Sequence, residues 1–150
     1  MPIQSIGHAV LKVSNMERAE AFYCGVLGFP VATRWDGLGR DMTFFTLGNH
    51  HDLAIVAMGD EAPPVDPNGC GLAHVAFKVG TSDAELIEMR DQVEGRGWKI
   101  DRAIDHGVTH SLYLHDPDGN QIELYVDISP AWKANPRELV DTYEKLDLGV

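Results

Sequence analysis

Two stretches of the chain repeat one order of apolar and polar positions. Ala9, Val10, Leu11 and Val13 form a short β-type run, and Ala19, Phe22, Tyr23 and Val26 then recur at helical spacing. Downstream, Val75, Ala76, Phe77 and Val79 make a second run, followed by a second helical stripe of Leu86, Met89 and Val93. Each helix is predicted to open on a capping box, Ser14 with Glu17 and Ser82 with Glu85. In such a box the serine and the glutamate three places on satisfy each other's backbone donors. Gly25 and Gly28 are predicted to stop the first helix, Gly95 and Gly97 the second. His8 precedes Lys12-Val13 as His74 precedes Lys78-Val79, so the two histidines hold matching places in an internal repeat.

Three further β candidates follow each helix, at 31–35, 41–47 and 52–58 and then at 99–103, 109–114 and 121–127. The last two are predicted to fold back on each other at Asp116-Pro117-Asp118-Gly119, where proline presets φ and glycine relieves the exit. Each half therefore reads as βαβββ, over about 5–58 and 72–127, joined by a linker at 59–71 that carries Pro63, Pro64 and Pro67. One half cannot bury its sheet face alone, so the expected fold is α+β, with two packed repeats making one domain over 1–127. The tail, 128–150, departs from the repeat. Asn135, Pro136 and Glu138 match N-cap, N1 and N3 positions and predict a helix to about Lys145. That helix has three places to go: onto the sheets, over a site, or against another subunit.

Composition narrows the partners. The 150-residue chain has a formal net charge of −11 and no basic cluster, which disfavours nucleic acid and anionic membrane surfaces. No apolar run approaches the roughly 20 residues of a membrane span, and Met1-Pro2-Ile3 opens no signal peptide. Two cysteines, Cys24 and Cys70, are too few for a disulfide framework, so the expectation is a cytoplasmic protein.

The candidate chemistry is concentrated at 104–125. Glu123 lies between Ile122 and Leu124 in a β-forming run, where a carboxylate either faces solvent or needs a partner. Taken singly, each histidine reads as a structural residue. Two at matched places of a duplicated unit, with one strand carboxylate, instead suggest the facial donor set of non-haem Fe(II) oxygenases, which leaves positions open. The spacing Ile104-x-His106, five residues, Leu112-Tyr113, two residues, Asp116-Pro117-x-Gly119, three residues, Glu123 resembles the signature of the type I extradiol dioxygenases. These belong to the vicinal oxygen chelate superfamily, with the glyoxalases and bleomycin-resistance proteins.

That resemblance covers roughly 5–127 and carries several expectations. It implies a glyoxalase-like sheet cup and a metal set of His8, His74 and Glu123 holding Fe(II), with Mn(II) as the alternative. It implies ring opening of a catechol-type diol by O2, in aromatic catabolism. His51, in the segment His51-Asp52-Leu53-Ala54, corresponds to the family's acid/base residue, and His106 and Tyr113 to residues that face the diol. Together with an exposed sheet edge, it implies a homodimer or higher homo-oligomer. His50 is a neighbour without an assigned role, and His110 and His115 read as surface strand residues. Two other functions stay open. A glyoxalase- or epimerase-like lyase or isomerase would need a fourth ligand on the last strand of the first half, where only Asp52 is on offer. A bleomycin-resistance-like binding protein would need no metal ligands at all.

Overall fold

A computed structural model describes residues 2–148, and Met1, Gly149 and Val150, the ends of the expected domain and tail, lie outside the described residues. The chain divides into two compact units: Met1–Asn68 with Pro117–Gly119, and Gly69–Asp116 with Asn120–Val150. The elements are few helices and two mixed sheets, the α+β class expected from the repeat.

In the first unit β1 (Ala9–Val13), β2 (Val31–Trp35), β3 (Met42–Phe45) and β4 (Leu53–Ala57) form a sheet in the order β1-β4-β3-β2. β1 runs parallel to β4, and the other pairs are antiparallel. In the second unit β5 (Val75–Gly80), β6 (Arg102–Asp105), β7 (Thr109–His115) and β8 (Gln121–Asp127) repeat that plan as β5-β8-β7-β6, with β5 parallel to β8. The duplication seen in the apolar pattern is thus a duplication of topology. Each predicted strand overlaps one that is found; 41–47 shortens to Met42–Phe45, 52–58 to Leu53–Ala57, and 99–103 begins three residues later, at Arg102.

The apolar stripes do what their spacing demands. In the first unit α1 (Met16–Glu20) passes into a π-helical turn at Ala21–Val26, in which Leu27 N–H donates to Phe22 O. The wider turn lets both Phe22 and Tyr23 point inward, and both are fully buried. Tyr23 packs on Phe45 with ring centroids 5.9 Å apart, and Phe29 meets Phe45 at 5.8 Å. Truncating an aromatic side chain in such a core costs about 3–5 kcal/mol. In the second unit α2 (Asp83–Gly95) packs on β5, β7 and β8 and buries Leu86 and Val93, while Leu112, Leu114, Ile122, Leu124 and Val126 of those strands are buried too.

One capping box forms as expected and one does not. Ser82 caps α2, with Glu85 N–H 3.5 Å from its Oγ and the Glu85 carboxylate accepting from Thr81 N–H at 2.8 Å. α1 is capped by Asn15 instead of Ser14, its Oδ1 accepting from Arg18 N–H at 3.0 Å. Ser14 is buried and donates to the Asp118 carboxylate, so its hydroxyl is committed elsewhere.

The tail is the main departure. The helix expected to run to about Lys145 is a single 3-10 turn, Pro136–Leu139, capped by Asn135 as predicted and preceded by another short turn at Ala131–Lys133. After it the chain extends into β9 (Glu144–Lys145), which pairs antiparallel with β6, and Leu146 N–H donates to Ala103 O. The open edge of β6 offers backbone partners that a free helix would leave unpaired, and the tail takes them. No described helix is long and apolar enough to cross a membrane.

Candidate metal and diol site

Strand register decides what faces what in the second unit. β7 and β8 pair Tyr113 with Glu123 and Ser111 with Tyr125, and β5 sets Ala76 opposite Glu123. With a period of two, Ser111, Tyr113 and Glu123 share the face away from the core of α2. On that face His74 Nε2 lies 3.0 Å from Glu123 Oε2, and Ser111 Oγ donates to Glu123 Oε1 at 2.7 Å. Glu123 is 9% exposed and Ser111 fully buried, so the carboxylate has exchanged water for these partners.

Beside that pair, His106 Nε2 and the Tyr113 hydroxyl share a hydrogen bond of 2.9 Å. Arg102 lies over the Tyr113 ring at 4.2 Å, and the Tyr143 ring of the tail is 5.4 Å from that of His106. Burial, then the charge and hydrogen bonding of Glu123, push the Tyr113 phenol far above its ordinary pKa, so it keeps its proton. A recess of about 330 Å³ opens on this face, lined by Glu123, Ala76, Thr109 and Tyr125, with Trp132 and Leu139 from the tail. The tail therefore both extends the sheet and borders the recess.

The first unit gathers the other candidates. Ala9 N–H donates to Asp52 O at 3.2 Å, which brings the start of β1 against the start of β4. His8 and His51 consequently lie with centroids 3.9 Å apart and ring planes tilted by 36°, and His50 meets His51 edge-on at 4.5 Å. Burial and the neighbouring His8 and His50 imidazoles lower the pKa of His51, which favours the neutral ring.

Asp52 takes no part in this group. Its Oδ2 accepts from Leu47 N–H at 2.6 Å and Asn49 N–H at 3.4 Å, closing the β3–β4 loop. The repeat gives a further fact. Ala76 is paired with Glu123, and the corresponding pair in the first sheet is Val10 with Ala54. A methyl group stands where a second strand carboxylate would be.

Of the residues singled out in the sequence, His74, Glu123, His106 and Tyr113 come together in the second unit, and His8 and His51 in the first. Ser111, Arg102 and Tyr143 were not anticipated. Ser111 is readable in hindsight, because strict alternation back from Tyr113 puts it on the Glu123 face. His110 is less exposed than a surface strand residue, with Nδ1 2.6 Å from Asp83 and Nε2 3.5 Å from Asp105. His115 is half exposed and pairs with Asp101 at 2.7 Å.

Comparison with known proteins adds to this geometry. Residues 5–124 match the model of the glyoxalase/bleomycin resistance protein/dioxygenase superfamily. The chain is 34% identical over 121 residues to biphenyl-2,3-diol 1,2-dioxygenase 2 of Rhodococcus globerulus, covering 80% of this chain and 61% of that one. It thus spans about three fifths of the length of that relative. It is 32% identical over 138 residues to glutathione transferase FosA of Serratia marcescens, covering 91% of this chain and 90% of that one. A solved glyoxylase/bleomycin resistance protein/dioxygenase domain from Frankia shares the fold, with a TM-score of 0.73 at 16% identity over 84% of this chain and 99% of that one.

Proposed function

Because the chain belongs to the glyoxalase/bleomycin resistance protein/dioxygenase superfamily, we propose that it is an Fe(II)-dependent extradiol dioxygenase that opens a catechol-type diol with O2. The observation that carries this reading is the pairing of His106 with Tyr113 on the face that also holds His74 against Glu123. A metal site alone would need only the second pair. The first adds a hydroxyl and an imidazole suited to an oxygen-rich aromatic substrate.

Two donors of the proposed set suit the ion. His74 and Glu123 converge to 3.0 Å, and Ser111 fixes the carboxylate's other oxygen, the orienting contact that metal ligands characteristically receive. With His8 they would make the two-histidine, one-carboxylate set of non-haem Fe(II) sites, for which Mn(II) is the alternative ion. When bound, the metal supplies Lewis acidity toward both diol oxygens and a redox-active centre for O2.

The chain's own residues do the rest. His51, whose lowered pKa favours the neutral ring, accepts the diol proton and returns it as the ring opens. Tyr113 keeps its phenolic proton and donates to a substrate oxygen, with His106 orienting the hydroxyl. Trp132 and Leu139 line the recess with apolar surface against which a ring can lie. The cytoplasm, aromatic catabolism and assembly as a homodimer or larger belong to the same reading.

A second reading is a metal-dependent lyase or isomerase of the glyoxalase or epimerase kind, supported by likeness to a probable lactoylglutathione lyase of Synechocystis, 25% identical over 126 residues and 91% of that chain. Ala54 and the loop-bound Asp52 weigh against the fourth carboxylate ligand it would use. A bleomycin-resistance-like binding role ranks third, since His8, His74 and Glu123 are all present. The deciding experiment is O2 uptake by anaerobically iron-loaded protein on a panel of single-ring and biaryl diols. Uptake with at least one diol is expected, and metal bound without uptake on any of them would overturn the assignment.

A further inference from the structure

His50 has no role in the proposed reaction, yet it completes a group of metal donors. The ring nitrogens of His8, His50 and His51 offer ligand atoms that all lie within 4.8 Å of one another. We propose that these three histidines form a metal site of their own, which takes a divalent late transition ion such as Zn2+ and competes for His8 with the set containing Glu123.

The geometry is close to what such an ion needs. Three imidazole nitrogens around a tetrahedral Zn2+, each about 2.0–2.1 Å from it, stand roughly 3.4 Å apart. The group must therefore contract by no more than about 1.4 Å, which small rotations of the exposed His8 and His50 side chains can supply. The surroundings are built to hold the rings. His50 Nδ1 lies 3.0 Å from Asn49 Oδ1, which sets Nδ1 as the donor and leaves Nε2 with a free lone pair. Asn49 is itself anchored by donating from Nδ2 to Gly7 O at 3.0 Å, so one side chain ties His50 to the residue before His8. Asp52 closes the loop behind both His50 and His51.

The donor chemistry separates the two sets. Three neutral imidazoles suit Zn2+, Cu2+ or Ni2+ and have little appeal for Mg2+ or Ca2+, which want oxygen. The set with Glu123 contains a carboxylate and suits Fe(II) or Mn(II). His8 serves both, so an ion held by the imidazole triad removes a ligand and, through His51, the acid/base group. The binding claim stands on the first unit alone; the competition rests on the proposed function.

The test uses the full chain carrying His74→Ala and Glu123→Gln, which disables the other set. Zn2+ titrated against a chromophoric chelator should bind at one equivalent, and adding His50→Ala should weaken it at least tenfold, the scale on which lost site interactions act. Absence of Zn2+ binding in the doubly altered, folded chain, or less than a threefold change on adding His50→Ala, overturns the proposal. Should the doubly altered chain fail to fold by circular dichroism, ring nitrogen resonances of His50 in the unaltered chain decide. They should shift with one equivalent of Zn2+, and silence overturns the site. Iron content of His74→Ala reports separately on the proposed dioxygenase set, so the two failures are distinguishable.

Discussion

Removing the Ser111 hydroxyl probes how the carboxylate of Glu123 is held. Ser111→Ala deletes one oxygen from a fully buried side chain, leaves the β7 backbone pairing intact, and opens almost no space. Its one structural consequence is loss of the 2.7 Å hydrogen bond to Glu123 Oε1, in a carboxylate only 9% exposed. A hydrogen bond to a charged group is worth about 1.5–3 kcal/mol, and the neighbouring Tyr113 hydroxyl and water entering the recess would replace only part of it. We expect the metal-free protein to lose about 2 kcal/mol, near the lower part of that range because the recess admits water. For a chain of this size that lowers Tm by roughly 4–8 °C. Metal affinity should fall about 10- to 100-fold if Glu123 is the proposed ligand, since it loses its orienting contact. Thermal melts of the metal-free protein and competitive metal titration measure the two effects. Repeating the change in a Glu123→Gln background should shrink the stability cost by more than half. A cost below about 0.5 kcal/mol together with unchanged metal affinity would refute the claim that Ser111 positions the carboxylate.

Other perturbations have equally definite outcomes. His51→Gln should retain iron and still bind diol while kcat falls on the order of 10²–10⁴-fold, and Asp52→Asn should leave metal content unchanged; the reverse pattern would point to a lyase or isomerase. Glu20, 2.8 Å from Arg34 Nε, has its pKa lowered first by that hydrogen bond, so its stabilisation exists above the ordinary carboxylate pKa and is lost as pH falls through the depressed folded value. Glu20→Gln should therefore cost about 1 kcal/mol at pH 7, discounted for the exposed arginine, and nothing once pH drops well below 4; denaturant melts at the two pH values check this. Light scattering at micromolar concentration should give the mass of a dimer or larger, and a monomeric mass would count against assembly through a sheet edge.

How far the residues alone reach can be judged strand by strand. The hairpin of β7 and β8 is legible because Asp116-Pro117-Asp118-Gly119 pins the turn and alternation does the rest; the span 121–127 is found as predicted. The duplicated topology is legible for a similar reason, since local pattern repeats wherever local structure does. What local pattern lacks is register. That Ala54 and Glu123 hold equivalent places follows only from the parallel pairings of β1 with β4 and β5 with β8, which join distant segments. Ser14 departs from its capping-box pattern because such a box is a local motif, and the group that claims its hydroxyl, Asp118, is more than a hundred residues away. The tail departs for a similar reason: Asn135 and Pro136 do start a helical turn, but the edge of β6 sets where it ends. His50 stayed without a role because a pair of adjacent histidines reads as a polar hairpin end until His8 is seen beside it.

The central claim concerns the fate of O2. Iron-loaded protein supplied with a diol that it turns over, under oxygen-18-labelled O2, should yield a ring-opened product carrying both labelled atoms, with one O2 consumed per diol. Mass spectrometry of the product reads this directly, with the Glu123→Ala protein as the metal-depleted control. Two labelled atoms per product, absent from the control, is the predicted result. An isomerised or eliminated product without label, or formed without O2 consumption, would contradict the dioxygenase reading.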